Sequence, residues 1–257
     1  MNIVSYNLNG IRAAERKGLS EWMAAENPDI ICFQELKANE DQVDLAVFKD
    51  LGYHIYWHSA EKKGYSGVAI FSKVKPKHVE VGCGIDIYDR EGRVIRADFE
   101  TFSIMSTYMP SGSSGEQRQA FKIKWLVDFQ AYIADLKVSH PNLIISGDYN
   151  ICHQAVDIHD PTRNKNSSGF LPEERAWVTD FLKNGFVDSF RRIYPDAKDT
   201  YSWWSYRANA RNNNKGWRID YHMVSKEIED RIHGAEILAN VKHSDHCPVK
   251  LVLSSVS

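Results

Sequence analysis

The chain has 257 residues, 43% hydrophobic and 26% charged, ordinary values for a globular protein that leave room for one large domain or two small ones. Its net charge of −2 excludes a global basic field, so a polyanionic partner would need a local basic face or cations held by the acids. No apolar run could span a bilayer, MNIVSYN lacks the regions of a signal peptide, and Cys32, Cys83, Cys152 and Cys247 have no paired spacing. Membrane segment, secretion signal, zinc cage and disulfide framework are therefore not expected, and buried thiols in a reducing cytoplasm are.

In chain order, Asn2–Asn7 reads as a strand and ends in Asn7-Leu8-Asn9-Gly10. Residues 12–26 read as a helix, stopped by Asn27-Pro28-Asp29. Ile30–Phe33 is a second apolar strand, and it delivers Gln34 and Glu35. Residues 53–57, 67–71, 93–99 and 102–108 read as further strands, close enough in sequence to favour antiparallel pairing. A Ser/Gly loop at 111–115 precedes a long helix over 116–137. Residues 151–169 form a polar loop longer than a simple connection needs, a kind that is often functional. A helix over 172–184 starts with a Pro in its first turn, and strands over 219–224 and 248–253 close the chain. Without a linker or repeat, the expectation is one α/β domain over residues 1–257.

Between the long helix and the polar loop lies LIISGDYN, Leu143–Asn150. Three apolar β-formers run into Ser-Gly, then Asp148 and Asn150 follow at a spacing that puts both side chains on one side of an extended chain. Gly, Asp and Asn are also ordinary turn residues. The other strand ends change the weighting. They carry Asn7, Asn9, Glu35, Tyr108, Asp220, Asp245 and His246. Four carboxylates gathered at one sheet edge would repel unless a cation sat among them. All-oxygen ligation favours Mg²⁺ or Mn²⁺ over Zn²⁺. Such a cation is the usual apparatus of phosphate chemistry. Neighbours on an extended chain face opposite ways, so Asp245 and His246 should do different jobs, with Asp220 the better partner for His246.

The stretch Tyr201–Tyr221 holds three Trp among Arg and Asn. Core packing accounts for some of these aromatics. Aromatics interleaved with Arg also suit stacking on bases and contacts to phosphates.

The words SYNLNGIRA, PDIICFQELK, YSGVAIFSK, TYMPSG, SGDYN, NKNSSGF, NARNNNKGWRIDY and SDHCPV, spread over nearly the whole chain, resemble the exonuclease III-type apurinic/apyrimidinic endonucleases of the endonuclease/exonuclease/phosphatase superfamily. The resemblance implies a four-layer α/β sandwich, deoxyribonuclease-like, with two packed mixed sheets flanked by helices. It implies Mg²⁺-dependent incision 5′ to an abasic site in duplex DNA. Related 3′ phosphodiesterase, 3′ phosphatase and 3′→5′ exonuclease activities go with it. Carried across by residue, Glu35 is the main metal ligand, with Asn9 and Asp245 nearby and Asn7 holding the network together. Asp148 would activate water, and Asn150 would orient it or hold a phosphoryl oxygen. His246, paired with Asp220, would bind the scissile phosphate, and Tyr108 would contact it or help the leaving oxygen. Whether Asp148 or His246 is the base stays open, and Asp148, Asn150 and His246 also count among the groups around the metal. Trp203, Trp217 and Ile219 match the pocket for a flipped-out abasic sugar. Asn164 matches a phosphate contact, and Arg218 and Lys37 are further DNA-contact candidates.

Four positions depart from the animal enzymes of that family. Asn9 stands in place of an Asp, Ser111 in place of an Asn, Ser114 in place of an Arg that enters the DNA, and Arg207 in place of a wedging Met. The DNA-penetrating contact is therefore expected from Arg207. The competing readings are another phosphoesterase of the superfamily, such as a non-specific deoxyribonuclease or phosphatase, and a catalytically silent DNA-binding module. Metal-dependent nicking of abasic DNA separates all three. A cytoplasmic monomer is expected.

Overall fold

A computed structural model describes residues 1–254. Twelve strands form two sheets of six. In chain order they are β1 (Asn2–Asn7), β2 (Ile30–Gln34), β3 (His54–His58), β4 (Val68–Ser72), β5 (His78–Val81), β6 (Val94–Asp98), β7 (Ser103–Tyr108), β8 (Leu143–Asp148), β9 (Phe186–Asp188), β10 (Asp220–Ser225), β11 (Ile232–Ile237) and β12 (Val249–Leu253). The first four and last two make one sheet, ordered β11-β12-β1-β2-β4-β3. The middle six make the other, ordered β5-β6-β7-β8-β10-β9. Each sheet contains one parallel pair at its centre, β1 with β2 and β7 with β8. All other pairings are antiparallel, including β3 with β4 and β6 with β7, whose short connections favour it.

The layers follow from alternation along the strands. Val4, Tyr6, Ile31 and Phe33 point outward into a core shared with the short N-terminal helices. Leu143 and Ile145 point outward into a second core under the helices Glu116–Ser139 and Pro172–Lys183. Between the sheets lies a third core, so the architecture is the four-layer sandwich that the resemblance implied.

The residues facing that seam change character in register. The first row is apolar: Ile3, Ile30, Ile104, Ile144 and Val224. Two residues along, Ser5 pairs with Cys32, and Ser146 pairs with both Ser106 and His222. These groups satisfy one another across the seam. Ser106 Oγ donates to Phe33 O at 2.9 Å, Ser146 Oγ lies 2.7 Å from His222 Nδ1, and His222 Nε2 is 3.0 Å from Val249 O. Two residues further, Asn7 pairs with Gln34, and Asp148 pairs with Tyr108 and Asp220. The seam thus runs from hydrocarbon to carboxylate in three steps and opens at the C-terminal ends of both parallel pairs. Gly147 is required on the way. A Cβ there would lie 1.9 Å from Thr107 O, where β8 passes β7 just before Asp148.

Several elements differ from expectation. The helix expected over 12–26 is two helices, Ile11–Glu15 and Leu19–Glu26, broken at Gly18, whose φ of 91° is left-handed. The polar loop holds a short helix, Pro161–Asn164, with Pro in its first turn and the Asp160 carboxylate accepting from Arg163 N. β5, β9 and β11 were not foreseen. No helix among the described residues is long and apolar enough to cross a membrane.

Candidate active site

At the polar end of the seam the chain repeatedly enters left-handed backbone. Asn9, Glu35, Lys37, Ser66 and Asn150 all have φ between 45° and 51°, values that non-glycine residues adopt rarely and at a cost. Each follows a strand end or belongs to the loop beside it. The bends turn side chains back over the strand ends. Asn150 is brought beside Asp148 by such a bend: its backbone N donates to Asp148 Oδ1 at 2.8 Å.

Asn7 is the tie. Its amide nitrogen donates to Glu35 Oε1 at 3.0 Å and to Asp148 Oδ2 at 2.9 Å, joining a residue after β2 to one at the end of β8. Its carbonyl accepts from Asn9 N at 3.0 Å. Asn9 Nδ2 donates to Asp245 Oδ1 at 3.0 Å, and Trp203 Nε1 donates to Asp245 Oδ2 at 3.0 Å. Asp245 and His246 do face different partners. His246 Nδ1 sits 2.9 Å from Asp220 Oδ2, while its Nε2 is 3.8 Å from Asp148 Oδ2.

Charge in this cluster is uneven. Burial pushes the Asp148 carboxyl up, and the neighbouring Asp220 and Glu35 carboxylates push the same way against His246. Burial alone would lower the His246 imidazole, but the hydrogen-bonded Asp220 carboxylate, with Asp148 and Asp245, carries it above its usual value. Burial acts on Glu35 too. Lys37 and the Asn7 amide outweigh it and hold that carboxyl below the usual range. The Tyr108 phenol lies beside Glu35 in the same cleft. Burial, with the Glu35 and Asp148 carboxylates, holds it neutral, well above its ordinary pKa.

Four carboxylates therefore face one imidazolium and one ammonium. Atoms of Glu35, Asp148 and His246 lie within 4.8 Å of one another; with the His246 ring protonated, the carboxylate oxygens are the donors free to take a metal. Hard oxygen donors with net negative charge suit a divalent cation, so the donor set fits a metal ion.

The cluster floors a cleft of about 600 Å³. Trp203, Trp217 and Ile219 form an apolar wall; Ser111, Gly112, Ser113 and Gly115 form a rim; Ser167 and Ser168 complete the lining. Trp203 and Trp217 meet edge to face at 5.8 Å and pack on Ile158, Phe170 and Cys152. Of the residues singled out in the sequence, Glu35, Tyr108, Asp148, Asn150, Trp203, Trp217, Ile219, Asp245 and His246 line this one cleft. Asn7, Asn9 and Asp220 stand directly behind it.

Other residues lie elsewhere. Arg218 is corrected: its guanidinium is buried, with Nε 2.8 Å from Asp157 Oδ1 and Nη2 2.7 Å from Asp188 Oδ2, and it does not reach a DNA-facing surface. In the extended Trp217–Ile219 segment the two apolar neighbours face the cleft, so the middle side chain must face away. Asn164 is half-buried, and its amide nitrogen is engaged by His159 O and Asp160 O inside its own turn. Arg207 is exposed on a short turn beyond the aromatic wall. Lys37 turns inward, with Nζ 2.7 Å from Glu35 Oε2 and 2.5 Å from Asn9 Oδ1. Ser167 and Ser168 stand in the word NKNSSGF, which marks the family but gives these two serines no role of their own.

Comparison with known proteins agrees with this geometry. Residues 4–246 match the model of the Endonuclease/Exonuclease/phosphatase family. The chain is 46% identical to an exodeoxyribonuclease of Bacillus subtilis over 99% of its own length and 100% of that protein's. It is 41% identical to the DNA repair nuclease APEX1 of Danio rerio, over 99% and 82% of the two chains. Among solved structures, a 3′-5′ exonuclease from Neisseria meningitidis superposes with a TM-score of 0.92 at 27% identity, covering 99% and 100%. An AP endonuclease from Archaeoglobus fulgidus does so at 0.90 and 28%, also covering 99% and 100%.

Proposed function

The chain belongs to the Endonuclease/Exonuclease/phosphatase family and is a DNA repair nuclease, and from that premise we propose that it hydrolyses the phosphodiester 5′ to an abasic site in duplex DNA, with Mg²⁺ as cofactor. Related 3′ phosphodiesterase, 3′ phosphatase and 3′→5′ exonuclease activities belong to the same reading. The observation that carries it is the juxtaposition in one cleft of a carboxylate–imidazole cluster with the aromatic wall of Trp203 and Trp217. An abasic deoxyribose, which has no base to accommodate, fits against such a wall. Flipping it out is cheap because no base pair must be broken.

Glu35 and Asp245 would hold the cation, with Asn9, Asn7, Asp148, Asn150 and His246 around it; Mn²⁺ could replace Mg²⁺. A bound Mg²⁺ supplies charge neutralisation at the phosphoryl and leaving oxygens. The remaining work falls to the chain's own groups. His246, protonated through Asp220, presents Nε2–H to the scissile phosphate. Asp148, whose proton affinity is raised by burial, accepts the proton of the attacking water. The Asn150 amide nitrogen already donates to Met109 O at 2.9 Å and to Asp148, which leaves its carbonyl oxygen to orient that water. The attacking oxygen forms its bond to phosphorus as the bond to the leaving 3′ oxygen breaks; the neutral Tyr108 hydroxyl donates a hydrogen bond to the departing oxygen, which takes up a proton from solvent to become the 3′ hydroxyl. Trp203, Trp217 and Ile219 hold the flipped sugar, Asn164 contacts a flanking phosphate once its amide is released from His159 O and Asp160 O, and Arg207 enters the duplex. The protein works as a cytoplasmic monomer, since every group invoked lies in one chain.

The test is a duplex carrying one tetrahydrofuran abasic analogue beside a matched intact duplex, each with Mg²⁺ and with EDTA. The expected result is cutting immediately 5′ to the analogue, lost in EDTA. Equal internal cutting of the intact duplex would favour a non-specific deoxyribonuclease instead.

A further inference from the structure

Behind the cleft lies a further buried ion pair, between two helices. Lys122 in the helix Glu116–Ser139 and Glu174 in the helix Pro172–Lys183 are both fully buried, with Lys122 Nζ 2.7 Å from Glu174 Oε1. A buried ion pair is weak evidence of stability, because apolar residues of similar volume often serve as well. The other partners of this pair indicate what it is for.

Lys122 Nζ donates to the backbone carbonyl of Asn150 at 2.7 Å. That carbonyl belongs to a left-handed residue just beyond β8, so the strand ladder offers it no donor. Only a long cationic side chain reaches it from the helix. Glu174 Oε2 accepts from Gly169 N at 2.6 Å and from Leu171 N at 3.0 Å, and Oε1 also accepts from Gln119 Nε2 at 3.0 Å. Gly169, seated this way, fits between the Trp217 ring and Asn150 O: a Cβ there would lie 2.9 Å from Trp217 Cζ3 and 3.0 Å from that oxygen. Ser168 Oγ donates to Gln119 Oε1 at 2.7 Å, and the rim residue Gly112 packs so closely on the same two side chains that a Cβ would clash with both.

One carboxylate and one ammonium thus tie together Asn150, the 167–171 segment under Trp217, and the 111–115 rim. We propose that Lys122 and Glu174 are positioning residues for the cleavage reaction, setting the orientation of Asn150 relative to Asp148 and the spacing between the aromatic wall and the serine rim. This rests on the reading of the cleft as the place where DNA is cut. Neither residue touches the reacting atoms.

The test compares wild type with Lys122→Met, with Lys122→Met/Glu174→Gln, which leaves no unpaired buried charge, and with Gln119→Ala, which removes one half-buried strut. For each, the folded fraction, the dissociation constant for the tetrahydrofuran duplex and the single-turnover cleavage rate with Mg²⁺ are measured. A misplacement of about 1 Å can cost on the order of 100-fold in rate. The two Lys122 variants should therefore lose about 10- to 100-fold in rate per folded molecule, and Gln119→Ala several-fold, with duplex affinity little changed. A rate per folded molecule equal to wild type in every variant that folds, Gln119→Ala included, would overturn the positioning role. A wild-type protein that leaves the abasic duplex uncut would instead strike at the incision reading itself.

Discussion

The segment Trp217–Asp220 separates two groups of buried charge built from the same residue types. On its cleft side, Glu35, Asp148, Asp220 and Asp245 face one imidazolium and Lys37. On its inner side, Asp157 and Asp188 are matched by Arg218 and Arg191, with Arg191 Nη2 2.5 Å from Asp157 Oδ1 and both carboxylates bonded to Arg218. Arg218 and Arg191 hold Asp157 low despite its burial, while burial, with the Asp220 and Glu35 carboxylates and against His246, drives Asp148 up. Balance of charge distinguishes the clamp from the site: two guanidiniums match the clamp's two carboxylates, although Arg218 Nη1 and Arg191 Nε find no hydrogen-bond partner there, while the cleft holds more carboxylates than cationic side chains and suits a bound cation.

If that distinction holds, breaking the clamp should cost stability. Arg218→Met leaves two buried carboxylates without their shared partner and should lower the unfolding free energy by about 3–5 kcal/mol in a denaturant titration. A loss under about 1 kcal/mol would mean that the matched group contributes little.

The seam offers a neutral control. His222 is buried between the sheets, and burial pulls its imidazole down to about 4 from an ordinary value of 6.5, against the Val249 carbonyl. In the unfolded chain the ring takes up a proton near pH 6.5, and in the folded chain only near pH 4. Stability should therefore fall as pH drops through that window, by up to about 3 kcal/mol, and level off below it. His222→Gln should flatten this slope relative to wild type. Parallel pH profiles for the two proteins would contradict the assignment.

Divalent cation should stabilise only through the unmatched cluster. At about 100 times the dissociation constant Mg²⁺ should add about 2.7 kcal/mol to the wild type. Glu35→Ala should need more metal for the same shift in Tm, and an identical Mg²⁺ response in Glu35→Ala would remove that residue from the metal site. The smallest effect concerns the exposed rim. Arg207→Ala should weaken binding to abasic duplex and reduce the dependence of log Kd on log salt by about one unit or less, and unchanged binding would leave no role for Arg207 in the duplex.

Much of this was legible in the sequence because period-2 alternation delivers one side chain type to one face. Ile144-Ser146-Asp148 and Asp220-His222-Val224 spell out the seam from both directions, and strand ends at Asn7, Glu35 and Tyr108 gathered the remaining polar groups. The short or exposed edge strands β5, β9 and β11 have too few buried positions to show a period. Arg218 looked like a DNA contact because Arg beside Trp suits both a nucleic acid and an interior clamp. Its acidic partners, Asp157 and Asp188, lie 61 and 30 residues away. Lys122 and Glu174 were silent for a similar reason: charged residues in helices normally face water, and their burial follows only from how two distant helices pack.

Stability and cleavage measured together in Asp148→Asn separate a site carboxylate from a clamp carboxylate. The substitution removes a charge from the overfull cluster while keeping most of the shape. The loss of a hydrogen bond, worth about 1 kcal/mol, is offset by relief of buried charge. The account predicts unfolding free energy in EDTA within about 1 kcal/mol of wild type, and a loss of roughly 10²–10⁴-fold in cutting of the tetrahydrofuran duplex with Mg²⁺. A variant that loses several kcal/mol of stability, with cleavage falling only as far as its folded fraction, would show that Asp148 is a clamp like Asp157 and contradict the account.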